Sequence, residues 1–310
     1  MIVDIFIFIA ALTALIIAAR FFTNAAEEMG KWLGFPSFVI GIFIVGIGTS
    51  LPELVSSILS VRQGVSEIVP GNIIGANISN LLLVTGFAVV INRKPISLGS
   101  TYIYIDLNFL IGCFFTFYII SYDGKITFNE AFIGLIIFVI YSIYLIKGGV
   151  NPREKSSTDV RTPFPLKGAI ILLVAAVGVY FGANYTVSSI QSIATALGIP
   201  EAIIALTVLS LGTTLPELAV NITAIKQGKA EMAVGNVLGS CVFNTLVIPA
   251  VASTVGSITV PAVLISFSLP VMAGSGILFY LLTQDKRISV WEGLMFVMIY
   301  LLFMVKIATG

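Results

Sequence analysis

The sequence contains no histidine. That absence removes imidazole zinc ligation, a Ser-His nucleophile and a histidine proton relay from the available mechanisms. Charge is scarce as well: only 10% of the 310 residues are Asp, Glu, Lys or Arg, where soluble domains carry about 25%. With 16 basic against 15 acidic residues the net charge is +1, so there is neither a basic footprint for nucleic acid nor an acidic tail for a soluble partner. The 2 cysteines, Cys113 and Cys241, lie inside apolar stretches and read as small core residues silent about redox compartment. What fills the chain is apolar. Hydrophobic residues make up 58% and the mean hydropathy is +1.08, the composition of an all-α, multi-pass membrane protein.

A bilayer core about 30 Å thick needs roughly 20 apolar residues per helix. Ten runs of that kind are bounded by charges or turn residues: 2–19, 36–61, 68–91, 102–120, 128–146, 167–195, 200–225, 231–256, 261–282 and 288–308. The first is expected to stay in the mature chain, because no basic residue precedes it while Arg20 and Lys31 follow. Placing the N-terminus outside gathers Arg20, Lys31, Arg93, Lys94, Lys147, Arg153, Lys155, Arg161, Lys167, Lys226, Lys229, Lys286 and Arg287 on the inner side. Only Arg62, Lys125 and Lys306 then remain outside. The positive-inside rule therefore puts both termini outside and the polar stretch 148–166 in the cytoplasm, in a cell (plasma) membrane protein.

That stretch lies midway between two copies of one pattern. Gly48-Thr49-Ser50-Leu51-Pro52-Glu53-Leu54 recurs as Gly212-Thr213-Thr214-Leu215-Pro216-Glu217-Leu218, and Leu33-Gly34-Phe35-Pro36 as Leu197-Gly198-Ile199-Pro200. Gly71-Asn72-Ile73-Ile74-Gly75 likewise recurs as Gly235-Asn236-Val237-Leu238-Gly239, always 164 residues on. Five helices per copy is an odd number, so the second copy enters the membrane upside down. The expected organisation is a first five-helix repeat over 1–147, a linker over 148–166 and an inverted repeat over 167–310. Inverted repeats with paired Gly/Pro-interrupted helices point to a secondary transporter whose site lies at the repeat interface near the midplane.

Glu53 and Glu217 sit deep in apolar segments at equivalent positions. An ionised carboxylate there costs about 2.5 to 3.5 kcal/mol on the insertion scale; a bound cation compensates both at once. Pro52 and Pro216 have no N–H to give the carbonyls of Gly48 and Gly212, so backbone oxygens around 48–50 and 212–214 are expected to be free, in a locally broken helix. The hydroxyls of Thr49, Ser50, Thr213 and Thr214 add neutral oxygens. The Gly-x-x-x-Gly pairs suit close helix packing. Packing does not require Asn80 and Asn244, which stand five residues past the second glycine in each copy and offer amide ligands, with Asn72, Asn77 and Asn236 as secondary candidates. Two carboxylates, freed carbonyls and amides or water make six to eight hard oxygens, which suits Ca²⁺ better than Mg²⁺.

The paired Gly-Thr-Ser/Thr-Leu-Pro-Glu and Gly-Asn-x-x-Gly-x-x-x-x-Asn segments resemble the two alpha-repeats of the calcium/cation antiporter superfamily, in its prokaryotic sodium/calcium exchanger branch. The resemblance spans all ten helices and implies a five-plus-five inverted fold with two sliding helices, exchanging Ca²⁺ for Na⁺ by alternating access without a cofactor. It makes Glu53 and Glu217 shared ligands of both ions, gives the carbonyls of Thr49 and Thr213 to Ca²⁺, and gives Ser50, Thr214 and Ser240 to Na⁺. Ala76 replaces the hydroxyl that Ser240 carries in the other copy, and Asn244 stands where some relatives carry Asp. A Glu pair can also exchange protons for Ca²⁺, so H⁺-coupled and K⁺-assisted antiport remain alternatives. A passive cation channel is the alternative from another class. An enzyme is not expected, since no activated nucleophile or metal-ligating His accompanies the acids. Single cysteines at Ser156 or Ser157 are expected to react with an impermeant thiol reagent only from the cytoplasmic side, and one at Gly310 only from outside; the reverse labelling contradicts this topology.

Overall fold

The computed structural model describes residues 2–98, 103–149, 163–197 and 201–309, without the side chains of 2, 103, 104, 148, 149, 191, 194, 201–213 and 308. The interior of the linker, Ser156, Ser157 and Gly310 lie outside the described residues, as does Gly198-Ile199-Pro200 of the repeat. Ten long helices follow one another: α1 Ile2–Trp32, α2 Ser37–Arg62, α3 Ile68–Asn92, α4 Ile103–Ser121, α5 Phe128–Gly149, α6 Leu166–Ala196, α7 Glu201–Lys226, α8 Ala230–Ala252, α9 Leu264–Leu282 and α10 Val290–Thr309. Eight of them are long and apolar enough to cross a bilayer by length and composition.

The first helix departs from the expected boundary. It does not end near residue 19 but carries Arg20 and Lys31 within 31 helical residues. At 1.5 Å per residue that is about 46 Å, longer than the apolar layer, so its last turns reach beyond it. The apolar run stops there, but Ala25-Ala26-Glu27-Glu28-Met29 continue with strong helix formers. Lys31 pairs with Glu27 one turn back at 2.6 Å, and Gly34, at φ +75°, ends the segment. Glu27 also receives Lys229 at 2.8 Å, and the same ammonium donates to Asn24 Oδ1 at 2.8 Å, tying α1 to the start of α8.

Two short antiparallel sheets report the symmetry of the halves. β1 (Ile96–Ser97) pairs with β4 (Arg287–Ile288), and β2 (Lys125–Ile126) pairs with β3 (Ile258–Thr259). In register, Ile96 faces Ile288 and Ile126 faces Ile258. Ile96 and Ile258 are equivalent positions, as are Ile126 and Ile288, so a two-fold exchange of the halves turns one sheet into the other. Each sheet joins a first-half loop to a second-half loop, which requires both loops to lie on one side of the membrane. Inverted five-helix repeats meet that requirement. The cap repeats too: Thr127 N–H donates to Glu130 Oε2 at 2.8 Å at the start of α5, and Ser289 N–H to Glu292 Oε2 at 2.6 Å at the start of α10.

α1 lies along α6, and a smaller cluster including Leu15, Ala19, Phe22, Val179 and Ala183 joins this pair to Ile40 and Val45 of α2, Val220 of α7 and Met232 of α8. The remaining eight share one larger core. Of the eight spans long and apolar enough to cross a bilayer, α8 and α3 are the most enclosed, 94% and 83% buried over their most apolar windows, against 22% for α1. Glycine makes the closest approach possible: a Cβ on Gly235 would meet the carbonyl of Phe38, and one on Gly239 the backbone of Ile42. The Gly-x-x-x-Gly face of α8 therefore lies backbone to backbone on the first half of α2.

That first half is π-helical over Gly41–Gly46, and α3 has a matching stretch at Ser79–Val84. The expected break at Gly-Thr-Ser-Leu-Pro is corrected here: α2 stays helical through Pro52, and α7 through Pro216. In α2 the irregularity lies earlier, in the π-helical stretch Gly41–Gly46, while α7 carries Pro216 in an unbroken α-helix. Gly239→Ala is expected to destabilise the protein by about 1 to 3 kcal/mol through overpacking. Gly274→Ala, where an added Cβ meets nothing within 4 Å, is expected to be neutral or slightly stabilising. Thermal unfolding in detergent compares the two, and equal effects would contradict the close α2–α8 contact.

Candidate functional site

Each repeat delivers one carboxylate to the enclosed interior. Glu53 on α2 is 4% exposed and Glu217 on α7 is 2% exposed, and the two groups are close enough to interact electrostatically. Each retains one carboxylate oxygen, Oε2, with no hydrogen-bond partner. Other buried side-chain oxygens without a partner include Ser50 Oγ and Ser57 Oγ on α2, Asn77 Oδ1 on α3 and Asn244 Oδ1 on α8. A buried oxygen without a donor costs about 1 to 3 kcal/mol. Oxygens have lone pairs and need a positive partner, and a cation can satisfy several together. Among the described residues no three His, Cys, Asp or Glu come together, so any further ligands beside the two carboxylates are neutral.

The other sequence candidates fall around this pair. Thr49 is buried, with its hydroxyl 3.2 Å from Asn236 Oδ1, 3.3 Å from the Gly46 carbonyl and 3.5 Å from Ser240 Oγ. Ser240 donates to the same carbonyl at 3.2 Å, so its hydroxyl also serves the α2–α8 contact. Thr214, the α7 counterpart of Ser50, is buried; the side chain of Thr213, the counterpart of Thr49, lies outside the described residues. Asn80 is buried in the π-helical stretch, where its carbonyl accepts the Thr85 hydroxyl at 3.1 Å. Ala76 is buried and supplies no oxygen. A cleft lined by Phe22 of α1, Gly48, Thr49 and Pro52 of α2, Ala176, Val179 and Tyr180 of α6 and Pro216 of α7 brings both proline turns against the α1–α6 pair.

Sequence reading missed part of the polar interior. Asn221, one turn beyond Glu217, accepts the Asn236 amide at 2.8 Å; its position on the Glu217 face of α7 was the available signal. Thr245 and Ser79 were also missed: Thr245 Oγ1 accepts the amide of Asn77, itself a sequence candidate, at 2.8 Å, and Ser79 donates to the Tyr300 hydroxyl at 3.0 Å. Asp106 is a third fully buried acid, in the first turn of α4, with its carboxylate facing the buried Tyr141 hydroxyl of α5. It has no acidic counterpart in the other half: Ser268 stands at the position that the sheet register matches to it.

Two inverted halves that each lend one carboxylate to a closed interior define a secondary cation transporter of the membrane, not an enzyme. The chain belongs to the sodium/calcium exchanger family: a family model described as sodium/calcium exchanger protein matches residues 3–147 and 167–308. It is similar to the sodium/calcium exchanger MaX1 of Methanosarcina acetivorans, 30% identical over 343 residues covering 98% of each chain. An uncharacterised membrane protein of Methanocaldococcus jannaschii is 29% identical over 305 residues, 98% of this chain and 97% of that one. Among solved structures, the sodium-calcium exchanger NCX_Mj soaked with zero Na⁺ and Ca²⁺ matches with a TM-score of 0.83 at 27% identity, over 99% of both chains.

Proposed function

We propose that this protein is a Na⁺/Ca²⁺ antiporter that binds its ions between Glu53 and Glu217 and carries them by alternating access. The observation that supports this most directly is the pair of enclosed carboxylates, one per inverted repeat, each with an unpaired oxygen. Two negative charges match one Ca²⁺, and the same charges hold sodium ions in its place, so that one ion is released as the other binds. In this reading the neutral ligands are the carbonyls of Thr49 and Thr213, the hydroxyls of Ser50, Thr214 and Ser240, and the amides of Asn80 and Asn244. Repeats over 1–147 and 167–310 are joined by a cytoplasmic linker over 148–166, with both termini outside the plasma membrane, as the distribution of Lys and Arg supports.

Ca²⁺ uptake into proteoliposomes under imposed Na⁺, K⁺ or H⁺ gradients tests the coupling. A Na⁺ gradient is expected to drive uptake; uptake driven by a pH gradient alone supports proton coupling, and uptake with no counter-ion gradient a channel. Glu53→Gln and Glu217→Gln are each expected to abolish exchange in a folded protein, because either loses a charge and an oxygen that no water replaces at the midplane. Exchange near the wild-type rate in either variant contradicts the site.

Ala76 and Ser240 occupy equivalent positions, so Ala76→Ser is expected to add a sodium ligand at small steric cost. An oxygen contact to a desolvated cation is worth about 1 to 3 kcal/mol by analogy with hydrogen bonds to charged groups. The sodium concentration for half-maximal Ca²⁺ release should fall accordingly, with little change in Ca²⁺ affinity, while Ser240→Ala should raise it. If neither variant alters sodium dependence, these positions do not contact sodium.

A further inference from the structure

The two halves are equivalent in sequence but not in their hydrogen bonding. In the second half Asn236 Nδ2–H donates to Asn221 Oδ1 at 2.8 Å, and Asn236 Oδ1 accepts the Thr49 hydroxyl at 3.2 Å. All three residues are enclosed, at most 5% exposed. This amide tie joins α8 to α7 one turn beyond Glu217, and to α2 one turn before Glu53.

The same 164-residue offset that pairs Glu53 with Glu217 pairs Ser57 with Asn221 and Asn72 with Asn236. In the first half the tie is open. Ser57 is 1% exposed and its hydroxyl has no partner, while Asn72 on α3 is only half-buried. A fully buried, unpaired hydroxyl destabilises the state that contains it. When a transporter is built from two inverted copies, exchanging the conformations of the copies generates the state open to the opposite side. In that exchanged state the tie would belong to the first half, and Ser57 would have its donor.

We propose that the Asn236–Asn221 bond and an Asn72–Ser57 bond form in alternation, one in each facing state, making these four side chains positioning residues that set which side of the membrane the ion pair faces. The proposal rests on the antiporter reading above. It assigns no ion contact to the four residues; they act through the carboxylate-bearing helices. It also explains why the first half retains a buried serine hydroxyl where an alanine would pack without cost.

Purified protein in proteoliposomes of uniform orientation allows the Ca²⁺ concentration for half-maximal Na⁺-driven exchange to be measured separately at each face. Wild type comes first: absence of Na⁺-driven exchange overturns the antiporter reading itself. Given exchange, Asn236→Ala and Asn221→Ala are expected to move the two faces in opposite directions, weakening Ca²⁺ at one and strengthening it at the other by about fivefold, the equivalent of one lost hydrogen bond. Ser57→Ala is expected to give the mirror-image pattern, and Ser57→Thr, which keeps the hydroxyl, to restore wild-type values. Ser57→Ala removes no bond from the present state, so its folding is not at stake. A damaged site would weaken Ca²⁺ at both faces together. Unchanged values at both faces in Ser57→Ala, or shifts in the same direction as those of Asn236→Ala, overturn the proposal.

Discussion

Two carboxylates held out of water inside a bilayer are the constraint on which the rest of this structure depends. Each is expensive alone, and like charges near each other raise the cost further. The surroundings answer with oxygens rather than with basic side chains: serine hydroxyls and asparagine amides, several of them unpaired. A lysine or arginine in that place would neutralise the pair permanently. Neutral oxygens leave the charge to be balanced by whatever cation arrives, which is what a carrier of exchangeable ions requires.

The fold exists to bring those carboxylates together from two halves of one chain. Close glycine contacts let α8 lie against α2 backbone to backbone, so Asn236 and Ser240 reach across to Thr49 and the Gly46 carbonyl. The small sheets join each half to the other on both sides of the membrane. The α1–α6 pair shares a second hydrophobic cluster with Ile40, Val45, Val220 and Met232 of α2, α7 and α8 and meets these helices at a cleft over both proline turns. Where the halves differ, at Ala76 against Ser240 and Ser57 against Asn221, the symmetry is broken in the polar interior itself.

Much of this was legible in the sequence because its signals are strong ones. Apolar runs of membrane length, a constant spacing between copies and an acid after a proline inside an apolar helix rarely arise without a structural cause. Glu53, Glu217, Thr49, Ser50, Thr214, Ser240, Asn80 and Asn244 all lie in the interior that the repeat indicated. The end of α1 was not legible, because hydropathy marks the membrane while helix propensity carries the chain on past it. The π-helical stretches left no pattern, since the residues that form them, Gly41–Gly46 and Ser79–Val84, contain no proline or other helix-breaking signal beyond two glycines. Asp106 looked like a helix-flanking acid because it stands in a first turn, and only the packing of α5 beside it reveals its burial. Ser57 and Asn221 escaped notice because they are chemically different at equivalent positions, and a search for identity between the copies passes over them.

The most direct test of the central claim is the position of a bound divalent ion. Crystals of the protein equilibrated with Sr²⁺, a Ca²⁺ surrogate with an anomalous signal, should show one strong anomalous peak between the Glu53 and Glu217 carboxylates, and that peak should fade as Na⁺ replaces Sr²⁺ in the soak. A principal peak away from this pair, or one that persists unchanged at high Na⁺, would contradict the account.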